Sequence, residues 1–210
     1  MIIGIEGVSC TGKTTLSAQL AQRLHNPLVI PCYYHCAADP SQLPAPSATT
    51  ADEQMAALAA FLDIEAQRRR LAIQAHDQGR DVILDRTVDT LLAHSHAVGR
   101  LRGFDTDAAG RALVLASSIV VPDLTVLLHA PAKVIEQRAA RRTAMPRIFY
   151  APPFAAGFNA YFSGPISPTV IRFDSAGGLD DLTSAVAEQA ERLRAHVAQG
   201  QAPAAVEATT

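Results

Sequence analysis

Five short runs rich in Val, Ile and Leu punctuate the chain: Ile2–Glu6, Pro27–Pro31, Asp81–Asp85, Leu124–His129 and Thr169–Phe173. Their near-continuous apolar character predicts strands covered on both faces, as in a buried parallel sheet. The stretches between them carry helical spacing: Lys13–Leu24, about Ala51–Gln78, Thr87–Val98, Asp107–Ile119, Pro131–Arg142, Pro153–Phe162 and Leu179–Ala198. In the longest of these, Met55, Leu58, Leu62, Ala66 and Ile73 fall near one face. Strands alternating with helices predict an α/β fold, a doubly wound parallel sheet, forming one domain over residues 1–198. Residues 39–50, rich in Pro, Ser and Ala, read as a surface loop, and residues 199–210 as a flexible tail.

The first strand runs directly into Gly7-Val8-Ser9-Cys10-Thr11-Gly12-Lys13-Thr14-Thr15, which fits the phosphate-cradling pattern G-x-x-x-x-G-K-[ST] at every fixed position. The residue types follow from the chemistry. Gly7 and Gly12 let the chain fold back so that amides of Ser9, Cys10 and Thr11 converge on phosphate oxygens. Lys13 is placed to reach the β- and γ-phosphates, and the Thr14 hydroxyl to ligate Mg²⁺. The helix that starts at Lys13 turns its positive end to the same anion, with Thr15 in its first turn. A strand before the loop and a helix after it supply the context that separates a P-loop NTPase from a chance match.

A second candidate lies in Asp81-Val82-Ile83-Leu84-Asp85-Arg86, an apolar strand ending in Asp-Arg. In such a sheet the C-terminal strand ends face the phosphates, so Asp85 is placed to hold Mg²⁺ or to accept the proton of an attacking hydroxyl. The planar fork of Arg86 suits a phosphoryl group. A strand-end salt bridge is the plainer alternative. A third candidate is the cluster Arg138, Arg141, Arg142 and Arg147, a short lid over about 138–150 whose arginines would meet charge developing on the transferred group. A solvated basic helix end is its alternative.

Composition narrows the partners. With 210 residues, 49% hydrophobic and a net charge of −2, the chain has a substantial core and no excess charge for coating nucleic acid or a membrane surface. No apolar run spans a bilayer, and the N-terminus lacks a basic leader. Three cysteines point to a reducing, cytoplasmic setting rather than a disulfide framework. Cys32, His35 and Cys36 are one ligand short of a zinc set. Lysine occurs only as Lys13 and Lys133, so arginine carries nearly all the positive charge.

The chain resembles the thymidylate kinase and deoxynucleoside kinase group of P-loop kinases over most of residues 1–198. Ile5-Glu6-Gly7 with Gly12-Lys13-Thr14-Thr15 is similar to that group's opening strand and loop. Ala60-Phe61-Leu62-Asp63-Ile64-Glu65-Ala66-Gln67 is similar to its acceptor helix, Asp85-Arg86-Thr87 to its Asp-Arg-Tyr segment, Pro122–Leu128 to its fourth strand, and Arg138–Arg147 to its lid. The resemblance implies a five-stranded core of order 2-3-1-4-5, ATP as co-substrate with Mg²⁺, a small-molecule acceptor, and a homodimer.

The departures fall on the acceptor side. After the second strand stands Pro31-Cys32-Tyr33-Tyr34-His35, without the group's Arg or Glu. Phe61 keeps the base-stacking aromatic, whereas Glu65 stands where thymidylate kinases have an arginine for the acceptor phosphate. A carboxylate there repels a phosphate. Either Arg68 or Arg69 takes over that role or the acceptor carries no phosphate, with Glu65 or Asp85 then acting as base. Thr87 replaces the usual Tyr, and His94-Ser95 the usual Tyr-Gln, near the acceptor. The expectation is phosphoryl transfer to a nucleotide or nucleoside-like acceptor other than dTMP. A kinase for a sugar or antibiotic hydroxyl is the alternative within the same chemistry. A nucleotide-dependent switch is the alternative outside it, and the guanine-reading Asn-Lys-x-Asp motif is missing.

Overall fold

The computed structural model describes residues 1–24, 26–142 and 145–198. The expected tail, residues 199–210, lies outside them. Five parallel strands, β1 (Ile2–Glu6), β2 (Leu28–Ile30), β3 (Val82–Asp85), β4 (Leu124–His129) and β5 (Val170–Asp174), form one sheet in the order β2-β3-β1-β4-β5. The helices are α1 (Lys13–Arg23), α2 (Tyr33–Cys36), α3 (Ala51–Asp77), α4 (Val88–Arg102), α5 (Asp107–Leu115), α6 (Ala132–Ala139), α7 (Pro152–Tyr161) and α8 (Leu179–Ala198).

Alternation along the strands sorts side chains between two layers. Ile3, Ile5, Ile83, Leu124, Val126 and Leu128 pack under α1 and α8 with Leu16, Leu20, Val186 and Ala190. On the other face Val82 and Leu84 meet Ala72 and Ala75 of α3, while Leu127 joins the α4–α7 layer of Ala93, Ala97, Phe154 and Phe158. Burial on both faces explains why the central strands read as unbroken apolar runs. In β5, an edge strand, exposed and half-buried positions alternate.

Some boundaries differ from the sequence expectation, each for a local reason. The second helix, α2, has only four residues and shows no periodicity to read. Helix α4 runs past Val98 to Arg102 and stops at Gly103, whose φ of 81° provides the left-handed cap. Helix α6 ends at Ala139, so Arg141 and Arg142 lie beyond it. Helix α5 ends at Leu115, short of Ile119.

Candidate active site

Backbone geometry shapes the loop between β1 and α1. Gly7 has φ 135° and Gly12 φ 98°. A Cβ on Gly7 would sit 2.4 Å from the Leu128 carbonyl oxygen, so only glycine lets the loop pass β4 there. Cys10, buried, takes φ 69°. The Thr11 hydroxyl donates to the Val8 carbonyl at 2.9 Å, closing the loop on itself. Ser9 donates its amide to the Phe149 carbonyl at 3.2 Å. Thr14 and Thr15 begin α1 with exposed side chains.

Lys13 folds back into this ring. Its Nζ donates to the carbonyls of Gly7 at 2.9 Å and Val8 at 2.8 Å. Burial, then the Arg86 charge, lowers its ammonium from the ordinary value to about 7, against the opposing pull of Asp85 and Glu6. Bound phosphates would restore that ammonium, since anions beside a cation favour its charged form. Binding of Mg-ATP at pH 7.5 is therefore expected to take up on the order of 0.5–0.8 proton at this site. Calorimetry in buffers of different ionisation enthalpy reads this directly, and an enthalpy independent of buffer would contradict it.

Opposite Lys13, the Thr14 hydroxyl donates to Asp85 Oδ2 at 2.7 Å. A hydroxyl and a carboxylate brought together at the mouth of a phosphate loop are hard oxygen donors of the kind Mg²⁺ takes, so the residues present fit that ion. Arg86, next in sequence, has φ 72°. This left-handed turn sends its guanidinium back toward the loop, where Nη1 donates to Thr90 Oγ1 at 2.7 Å and to the Gly7 carbonyl at 3.4 Å.

Glu6, which the sequence reading did not single out, organises this junction. Its carboxylate is fully buried and accepts from the Thr87 amide at 2.6 Å and from the Thr87 and Thr90 hydroxyls, each at 2.8 Å. Burial raises its pKa, against the lowering effect of Arg86 and of these hydrogen bonds. Asp89, also buried, accepts from the Tyr161 hydroxyl and the Ile166 and Ser167 amides, tying α4 to the α7–β5 connection. The available signal for Glu6 was a carboxylate ending an otherwise apolar strand.

On the acceptor side two of the candidate residues lie inside the fold. Glu65 and Arg68 are both fully enclosed and paired with each other at 2.9 Å. Glu65 also accepts from the Tyr33 hydroxyl at 2.8 Å and the Val120 amide at 3.1 Å. The hydrogen-bond partners of both side chains are groups of the fold itself. Arg69, one position on and about 100° around the helix, lines a groove with Arg70, Ile73 and Gln74 of the same helix. Removing Glu65 alone strands the Arg68 charge. Glu65→Ala is expected to cost about 3–5 kcal/mol in urea unfolding, and a cost below 1 kcal/mol would contradict the enclosed pair.

Phe61 remains half-buried with its ring 6.0 Å from that of Tyr33, edge to face. His94, on α4, has its ring 5.5 Å from that of Phe154 and 6.0 Å from that of Phe149, with Nε2 2.9 Å from the Pro46 carbonyl. Burial lowers its pKa to about 4, so it is neutral near pH 7 and Nε2 is the protonated nitrogen. Arg138 does reach the loop, but through carbonyls. Its Nη1 lies 3.4 Å from the Cys10 and Thr11 oxygens, and its Nη2 donates to the Ser175 carbonyl at 2.6 Å. It thereby braces the loop against the end of β5. Arg142 and Arg147 are exposed beyond the end of α6, and Arg147 stands two residues before Phe149, whose carbonyl accepts the Ser9 amide of the loop.

The fold is shared with solved nucleoside and nucleotide kinases. A deoxyadenosine kinase from M. mycoides with products dCMP and a flexible dCDP bound aligns with TM-score 0.67 and 13% identity, covering 91% of this chain and all of that one. The same enzyme with bound dATP aligns with TM-score 0.68 and 15% identity over the same shares. Thymidylate kinase from Candida albicans aligns with TM-score 0.62 and 20% identity, covering 93% of this chain and 92% of that one. A comparison with curated proteins finds no match. The family model described as AAA domain matches residues 2–152, a span that holds the phosphate loop, Asp85-Arg86 and Arg138, and the chain belongs to that family of P-loop domains.

Proposed function

We propose that the protein transfers the γ-phosphoryl group of ATP to a nucleotide or nucleoside-like small molecule. The observation that carries this reading is the Thr14–Asp85 hydrogen bond at 2.7 Å beside Lys13, with Arg86 turned onto the same loop. Each part has a place in in-line phosphoryl transfer, which asks for positioning and charge stabilisation rather than covalent chemistry by the protein. The loop amides and Lys13 hold the β- and γ-phosphates, Lys13 exchanging its two carbonyl partners for phosphate oxygens. Thr14 and Asp85 would hold Mg²⁺, which when bound neutralises phosphate charge. Arg86 meets the transferred group. Arg142 and Arg147, exposed beyond the end of α6, are further cations that would meet charge on that group. The fold relatives act on or bind deoxynucleotides, which supports an acceptor of that shape.

The wall charges favour an acceptor hydroxyl over an acceptor phosphate. Arg68, enclosed against Glu65 and the β3 carbonyls, is not available to a second phosphate. Glu65, equally enclosed, leaves Asp85 as the carboxylate placed to accept the hydroxyl proton. The test is ADP release from Mg-ATP with nucleoside monophosphates, the matching nucleosides, and amino- and deoxy-sugars as acceptors. Stimulation by unphosphorylated acceptors is expected. Stimulation by monophosphates alone would contradict the hydroxyl preference, and no stimulation by any of them would contradict the proposal.

A further inference from the structure

We infer that Arg68 is the positioning residue of this site: from inside the fold it sets the turn that aims Asp85 and Arg86 at the phosphate loop. The inference rests on the phosphoryl-transfer reading for its rate consequence, though not for its geometry. One nitrogen, Nη2, donates to the Arg86 carbonyl at 2.6 Å and lies 3.2 Å from the Asp85 carbonyl. The other, Nη1, donates to Glu65 at 2.9 Å, and the guanidinium lies over the Tyr33 ring, 4.3 Å from its centroid. Glu65 is itself fixed by Tyr33 and Val120. Three segments far apart in sequence thus converge on the back of the Asp85-Arg86 peptide.

Arg86 needs this support. At φ 72° it occupies the left-handed region, which an L side chain disfavours and which persists only where the surroundings over-determine it. The Arg86 amide donates to the Ile5 carbonyl at 3.0 Å on one side of the peptide, and Arg68 holds the carbonyls on the other. Stability is a poor explanation for the pair. The Arg68 Nε has no partner among the described residues, and apolar packing often stabilises as well as or better than a buried ion pair with an unsatisfied donor. What the planar fork supplies is direction, two carbonyls and a carboxylate held in one geometry, which a lysine ammonium does not reproduce.

The test compares Arg68→Lys, which keeps a cation beside Glu65 but loses the fork, with Glu65→Gln/Arg68→Met, which removes both buried charges together and so leaves none stranded. Both are read by kcat and KM for Mg-ATP, by thermal midpoint, and by amide exchange of the 85–90 peptide. For both variants kcat is expected to fall about 10- to 100-fold with KM for ATP within about threefold, as for a misplacement of roughly 1 Å. Exchange of the 85–90 amides should quicken about tenfold or more while that of α1 and β4 is unchanged. Wild-type kcat with unchanged 85–90 exchange in either variant would overturn the inference. So would faster exchange throughout the chain with a lowered thermal midpoint in both, which marks a merely structural role. If the unaltered chain transfers no phosphoryl group, the phosphoryl-transfer reading fails, and the exchange of the 85–90 amides still decides the placement of Arg68.

Discussion

Replacing Lys13 by alanine is expected to lower ATP-dependent turnover by about 10³-fold while leaving the fold intact. The ammonium is the compact charge at the centre of the loop, and its hydrogen-bond partners are carbonyls of Gly7 and Val8 rather than a carboxylate. The thermal midpoint should fall little or rise, because burying an ammonium whose pKa is pushed down to about 7 opposes folding, fully below that pH and progressively less as pH rises toward the unfolded value. The sign is explicit. In the unfolded chain the amine binds its proton up to about pH 10.4, in the folded chain only to about 7, so this group's contribution to stability rises with pH between those values. The alanine variant should therefore lose that slope. Turnover at the wild-type rate would remove Lys13, and the loop with it, from the mechanism.

The second large effect is expected at Asp85. Asp85→Asn keeps the size of the side chain and an oxygen for the Thr14 hydroxyl, but it removes the charge. Turnover should fall by about 10²–10⁴-fold through kcat, whether the carboxylate acts through Mg²⁺ or as the base that takes the acceptor proton. KM for ATP should change much less, since the loop amides and Lys13 are untouched. The two roles separate by metal. If Asp85 acts mainly on the ion, raising Mg²⁺ should restore part of the rate, whereas loss of a base is insensitive to Mg²⁺. A change confined to KM would contradict both.

Legibility in the sequence tracked how local each signal was. The phosphate loop was readable because its chemistry is carried by consecutive residues, and the left-handed Gly12 and the Thr14–Asp85 contact follow once a strand is known to end in Asp85. The strands were readable because β1, β3 and β4 are buried on both faces. Their order came from family resemblance, and the structure has the same order. The acceptor wall was not readable in the same way. On α3 the apolar stripe does not show that Glu65 and Arg68 turn inward, because what draws them in lies elsewhere. Tyr33 sits on a four-residue helix with no periodicity, the Val120 amide is 55 residues away, and two carbonyls at the end of β3 offer acceptors that no side-chain pattern announces. For the same reason the sequence could not choose between Arg68 and Arg69, of which the structure encloses the first and leaves the second half-buried on a groove of α3. Arg138 was read as a clamp on phosphate, but its partners are loop carbonyls, and backbone acceptors leave no trace in composition. Glu6 went unremarked because it ends a strand whose other residues explain themselves.

We propose that the loop, Asp85 and Arg86 move a phosphoryl group from ATP to another small molecule rather than to water. The measurement that tests it most directly follows the γ-phosphorus of isotopically labelled ATP in the presence of nucleosides, nucleoside monophosphates and amino-sugars. The account predicts label in a phosphorylated acceptor, one for each ADP formed, lost in Lys13→Ala. Label appearing only as inorganic phosphate, at a rate no acceptor changes, would contradict it and make the protein a nucleotide hydrolase or switch.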